Sequence, residues 1–503
     1  MRVSKHSKTI YIFLGIAIFL IMYIFYTQIE PIMVCDPDDW TYISYIRIPL
    51  PLWKNSNPTR VLPETIMGML GYFAVYLIYP FTSNYILSFT YVYASAVAFI
   101  ISLYIIFLAK MINKIFGTSH ILASLLSFCV FLIHFILFRE SVGQISKFLF
   151  TASNLTCFMF YIVPTLVNAI VAFGFIIIET TGSQRDDVWE IVKNNRNNKT
   201  IISIGGILVL LYFSILSNMA CNIILIAPCT YIFLKRIFEK IKENKIRELI
   251  SVRFIKRNII YIYLFMMELL CLIFEANGGR ANSLEVNWAT AFSRAIIDLY
   301  TVYSKSNKLV ITCVTIIIVI ALLLAFINRK NKQDISIKKF FGISYYSLIL
   351  VNVYMFLLFS RVGDNKIARS ENILTMLIYG FVICAGSAAY ILRKFDLVTV
   401  IIPFITVITF IYVVGGNYES SISYYGGNIK MCMAVNENII QQFIVADINN
   451  VDELELHIPE SGLGNYSFSG ERIATTLYKH GVVSKRYYPT IVLENENYFS
   501  RKD

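Results

Sequence analysis

Charge is what this sequence has least of. Asp, Glu, Lys and Arg make up 15% of 503 residues and hydrophobic residues 57%, a balance that excludes a soluble chain folded around several cores. The cues of several chemistries are also missing. There is no Walker A loop, nucleotide-binding glycine loop, Ser-His-Asp cue or metalloprotease helix, which argues against ATP-driven chemistry within this chain. The nine cysteines have no zinc-ligand spacing; Cys129, Cys229, Cys271, Cys313 and Cys384 lie in apolar runs, where a thiol acts as a small hydrophobe. Cys35 and Cys432 are both expected outside, where pairing is open to them. No internal repeat, heptad run or low-complexity tract is evident.

What the chain does have is apolar runs long enough to cross a hydrocarbon layer of roughly 30 Å. The expected fold class is therefore a polytopic α-helical membrane protein with about 11 (11–13) transmembrane helices. Spans are expected at 9–28, 85–108, 121–138, 157–178, 201–217, 223–236, 259–275, 308–327, 341–360, 372–392 and 397–414. The first is read as a retained helix, because no small-residue cleavage signal ends it. Glu64 to Pro80 is apolar, yet counting it as a crossing inverts every later loop against the charge rule. An interfacial helix is expected there, unless a split of 148–178 around Pro164 restores the parity.

The net charge of +12 resides in loops rather than on a soluble face, which argues for positive-inside topology and against nucleic acid. The largest basic cluster, from Lys235 to Arg257, reads as a cytoplasmic loop resting on anionic membrane lipids. The expected location is the plasma membrane, with the N-terminus cytoplasmic. Residues 1–414 then form a membrane domain with a first outer loop at 30–84. From 415 to 503 the composition turns polar, with eleven acidic against seven basic residues, and the runs Phe443-Ile444-Val445 and Leu454 to Ile458 look strand-like. A small extracytoplasmic α/β C-terminal domain is expected.

Just beyond the first span stands Cys35-Asp36-Pro37-Asp38-Asp39-Trp40. Asp at N-cap, Pro at the first helical position and acids in the first turn make a strong helix start. A helix from Pro37 through Ile46 would spend Asp36 on its own backbone and leave Asp38 or Asp39 to face a cavity. A carboxylate at the membrane edge suits removal of a proton from a sugar hydroxyl as that oxygen attacks an anomeric carbon. The same acids, Asp36, Asp38 and Asp39, could instead hold a divalent cation such as Mg²⁺ or Mn²⁺, although such a site needs about six ligands.

An acidic motif at the outer end of the first span, a long first outer loop, many further spans and a small outer C-terminal domain resemble GT-C-fold membrane glycosyltransferases. Asp38-Asp39-Trp40 followed by Asn57-Pro58-Thr59-Arg60 is similar to the acidic pair and downstream arginine of GtrII-like enzymes. Thr151-Ala152-Ser153-Asn154 with Tyr161 and Pro164 is similar to a polar stretch entering a later helix of that group. The resemblance implies a polyprenyl-phosphate-sugar donor and a polysaccharide, lipid or glycoprotein acceptor, with Asp38 or Asp39 as catalytic base.

Such a donor needs cations for its phosphate. Arg60, Arg280, Arg361 and Arg369 are the candidates, each otherwise a headgroup anchor. Asp36, Trp40, Glu140 and Tyr161 complete the expected substrate-binding set, with Tyr42, Tyr45 and Trp53 as further sugar contacts. His134 reads as a core histidine, and Glu268 as an intramembrane acid with either a role or a partner in the bundle. Two other classes fit the composition: a lipid or glycan transporter or flippase, and a non-catalytic sensor or scaffold.

Overall fold

The computed structural model describes residues 5–47, 57–139, 146–182, 198–277, 288–327, 334–360, 366–393, 398–415, 429–459 and 470–494. Long helices dominate. Helix α1 (Lys5–Ile24) runs on through a π-helical turn, Phe25–Ile29, and is followed by the short α2 (Pro37–Ile43). Next come α3 (Val61–Phe73), α4 (Tyr79–Thr82), α5 (Tyr85–Phe116), α6 (His120–Ile136), α7 (Leu155–Cys157) and α8 (Val163–Thr181). The bundle continues through α9 (Asn198–Ile215), α10 (Met219–Lys242), α11 (Val252–Ala276), α12 (Trp288–Lys305), α13 (Lys308–Ile327), α14 (Asp334–Ser360), α15 (Ser370–Leu392) and α16 (Val398–Val414).

Among the described residues, nine helical stretches are long and apolar enough to cross a membrane. The side chains divide accordingly. On α1, Tyr11, Leu14, Ile18 and Met22 are buried at helical spacing while Ile12, Phe13, Ile16 and Leu20 are exposed. An apolar stripe left open opposite an apolar core is what a lipid solvent permits and water does not. Helix α15 is enclosed along most of its length and packs against α14, α13 and α6.

The segment expected to be interfacial is different. Pro58–Thr82 is one helical stretch of 25 residues and is among the nine. Asn57 caps it by accepting from Thr59 N at 2.9 Å, seven residues before Glu64, and Glu64 itself is neutralised by Arg47 at 2.9 Å. The acid within the run is thus paired with a buried cation. Backbone contact sets its position: a Cβ on Gly68 would lie 2.1 Å from Tyr45 O, and one on Gly71 2.0 Å from Ile43 O. Glycine at both positions lets α3 lie directly against the end of α2.

After α16, α17 (Ile429–Ile448) is helical through Phe443-Ile444-Val445, correcting the strand expected there. The buried residues Cys432, Val435, Asn436, Ile439, Ile440, Phe443 and Ala446 follow a helical period, which outweighs a three-residue β-rich run. Strands β1 (Glu455–Pro459) and β2 (Thr490–Glu494) then pair in parallel, Leu456 opposite Ile491, with α18 (Gly470–Lys479) as the crossover between them. Helix α18 packs on α2, and α17 packs on α5.

Candidate functional site

The start of α2 is built from its own acids. Asp36 is the N-cap and accepts from Asp38 N at 2.9 Å, as the sequence suggested, although the helix ends at Ile43. Asp39 closes the reciprocal half of the capping box: its Oδ2 accepts from Asp36 N at 3.0 Å and Cys35 N at 3.1 Å. Its Oδ1 accepts from Thr156 N at 2.7 Å and Thr156 Oγ1 at 2.6 Å. One fully buried carboxylate therefore takes four hydrogen bonds and fastens α2 to the start of α7. Burial pushes the Asp39 carboxyl up to about 6, aided by the Asp36 charge and opposed by the Thr156, Asp36 and Cys35 donors.

Asp38 points the other way. Its carboxylate is solvent-exposed and meets Arg472 Nη1 of α18 at 2.9 Å. One helical turn on, Tyr42 lies on the same face, packs its ring on Phe160 with centroids 5.0 Å apart, and accepts from Arg60 Nη1 at 3.2 Å. The Tyr42 hydroxyl is within electrostatic reach of both Arg60 and Asp38. Arg60 also lies 3.9 Å from Glu64.

On the far side of the 153–157 segment sits Arg369, immediately before α15. Its Nη2 donates to Ser153 Oγ at 3.3 Å and to Cys157 Sγ at 3.1 Å, it pairs with Glu371, and its guanidinium lies 5.6 Å from the centroid of the Tyr161 ring. Asp39 holds Thr156 from one side and Arg369 holds its neighbours from the other. Asp39, Tyr161 and Arg369, separated by hundreds of residues, are thereby gathered at one segment.

Trp40 does not offer a face to a ligand. It is fully buried, its indole stacked on Tyr85 at 6.1 Å, and its carbonyl accepts from Thr476 Oγ1. Tyr45 is exposed. Glu140, Arg280, Arg361 and Trp53 lie outside the described residues. His134 is enclosed between Phe150 and Phe381 and its Nδ1 is 2.7 Å from Val130 O, the environment of a core histidine. Cys35 and Cys432 are both buried and free; Cys35 Sγ faces Asp39 and Cys432 Sγ lies 3.1 Å from Met33 Sδ.

The three acids do not fit a divalent cation. Asp36 caps its helix, all of Asp39's polar capacity is directed at protein donors, and Asp38 is turned to Arg472. Among the described residues no group of three or more His, Cys, Asp or Glu side chains could hold a metal ion. Sequence reasoning missed Thr156, Arg472 and the buried Arg47 partner of Glu64. None carries a local signal, because each acquires its place from a distant segment.

No protein-family profile matches this chain, and no curated protein or solved structure matches it.

Proposed function

We propose that this chain is a GT-C-type, GtrII-like membrane glycosyltransferase of the plasma membrane, with its N-terminus cytoplasmic and α2 and residues 415–503 on the outer side. It transfers a sugar from a polyprenyl-phosphate donor to a cell-surface polysaccharide, lipid or glycoprotein. The observation that carries the reading is the division of labour between adjacent aspartates: Asp39 is consumed in fixing α2, while Asp38 keeps an exposed carboxylate on that rigid support.

Asp38 is the base in this reading. It accepts the proton of an acceptor hydroxyl as that oxygen bonds to the anomeric carbon, and the bond from that carbon to the phosphate oxygen breaks with its electron pair leaving on the polyprenyl phosphate. A single displacement of this kind inverts the anomeric centre. Arg60, only partly engaged by Tyr42 and Glu64, is the cation placed to receive the phosphate. Arg369, already neutralised by Glu371, positions Tyr161 and the 153–157 segment. Arg472 releases Asp38 when the acceptor enters.

The test is the surface glycan of cells lacking the protein and complemented with wild type, Asp38→Asn or Asp39→Asn, with protein abundance followed. One sugar substituent should be lost on deletion, return with wild type, and stay absent with Asp38→Asn at normal abundance. An identical glycan in all strains would refute the reading. A transporter remains the second reading, favoured by one observation: Glu268 is a buried acid in α11 whose two oxygens have no hydrogen-bond partner.

A further inference from the structure

Buried polar groups in a membrane bundle are expected to be paired, since lipid offers them nothing. Around the turn from Ser214 to Asn218, between α9 and α10, they are paired on one side only. The donors of Ser217, Asn168, Asn222 and Tyr354 are used. Ser217 Oγ donates to Ser214 O at 2.6 Å, and Asn168 Nδ2 donates to Ser217 Oγ at 3.0 Å and Pro164 O at 2.9 Å. Asn222 Nδ2 donates to Ile215 O at 3.3 Å, Cys271 Sγ is 4.0 Å from the same carbonyl, and Tyr354 OH donates to Met219 O at 3.1 Å.

The acceptors are left over. Asn168 Oδ1, Asn222 Oδ1, Ser214 Oγ and both carboxylate oxygens of Glu268 have no hydrogen-bond partner, and all four residues are at least nine-tenths buried. Glu268 belongs to this cluster because Cys271, three residues along α11 on the same face, shares Ile215 O with Asn222, and because Glu268 is within electrostatic reach of Cys271 and Tyr354. The surrounding titratable groups offer no compensation. They are Cys271 on α11 and Tyr354 on α14, with Glu275 on α11 and Cys221 on α10 in reach of Tyr354; Glu275 already accepts from Asn57 and Thr59. Arg47 is paired with Glu64 through Nη1, and Arg236 with Glu179.

Among the described residues this cluster has surplus lone pairs and one carboxylate, and no cation is paired with that carboxylate. We propose that Glu268 is the carboxyl ligand of an intramembrane site for a small monovalent cation, filled by a sodium ion or by a proton on Glu268 itself, with Asn222 and Ser214 as neutral oxygen partners. One carboxylate is too little charge for a calcium-type cage. The site does not depend on the glycosyltransferase reading and could serve either a transferase or a transporter.

The experiment is thermal unfolding of the purified full-length protein in lipid nanodiscs, wild type against Glu268→Gln. Sodium is exchanged for choline at constant ionic strength, and pH is varied separately. A midpoint that rises with sodium in wild type and not in the variant identifies sodium. A midpoint that falls with rising pH in wild type only, with no response to sodium, identifies the proton, since ionising a buried unpaired carboxyl weakens the fold. Identical responses of the two proteins overturn the proposal. Should the variant not fold, dicyclohexylcarbodiimide labelling of wild-type Glu268, read by mass spectrometry, replaces it. Labelling that falls with sodium or with rising pH supports the site, and labelling that is absent or indifferent to both overturns it.

Discussion

Thr156→Val is the most incisive perturbation of the α2 anchor. It keeps the shape of the side chain and the Thr156 N–H donor at 2.7 Å from Asp39 Oδ1, and deletes only the hydroxyl at 2.6 Å. A hydrogen bond to a charged group is worth about 1.5–3 kcal/mol. Because the deleted hydroxyl served the ionised carboxylate, that loss equals a further rise of about 1–2 pKa units in Asp39. Asp39 stands at about 6 in the folded protein against 3.8 for a free side chain. With the folded value the higher one, the stability tied to its neutral form is complete below 3.8 and is lost as pH rises through about 6. In the variant the loss continues to about pH 7–8. The cost of Thr156→Val should therefore be small near about pH 5, where Asp39 is neutral in both proteins, and reach the full ~1.5–3 kcal/mol near about pH 8. Denaturant titrations in micelles at the two pH values measure this, with Thr156→Ser as the control that keeps the hydroxyl. An equal cost at both pH values, or the same pH-dependent cost from Thr156→Ser, would refute the argument.

Glu64→Gln should destabilise by about 3–5 kcal/mol in the same titration, because it leaves the buried Arg47 without its partner. Arg47→Met should cost less, since Glu64 retains Arg60 at 3.9 Å. His480 ties α18 to the membrane helices through Tyr85 OH at 2.7 Å and Ile43 O at 3.3 Å, and burial holds its imidazole down at about 4. A depressed histidine contributes stability above its unfolded value of 6.5 that is lost as pH falls through about 4. Hydrogen exchange in α18 should accelerate over that window in wild type; a His480→Gln variant with the same acid-induced acceleration would show that another group is responsible.

How much of this was legible beforehand can be judged element by element. The start of α2 was readable because an N-cap acts over three residues: Asp36, Pro37 and Asp39 carry their signal in their own spacing. The parallel pairing of β1 and β2 was half readable, since Leu454 to Ile458 looked like a strand but its partner, 35 residues on at Thr490, did not. The helix at 443–445 was misjudged by weighing three β-rich residues above a period that extends through fifteen. The stretch from Pro58 was set at the interface by loop parity; its helix is long and apolar enough to cross, and the acid within it is paired with Arg47.

The candidate site divides the same way. Which residue types were available, and that they lay at a membrane edge, followed from composition and run length, which are properties of the chain in one dimension. Which aspartate is locked and which is open followed only from the fold. Two neighbours on one helix point about 100° apart, and Thr156 and Arg472, the groups that meet them, arrive from 117 and 434 residues away. The sequence by itself determined a membrane-spanning helical chain with a capped acidic turn, because hydropathy and capping are local. Tertiary structure alone decided that Asp39 is an anchor, that Trp40 is core and that Glu268 is left without a partner, because pairing depends on what long-range packing brings within about 3 Å.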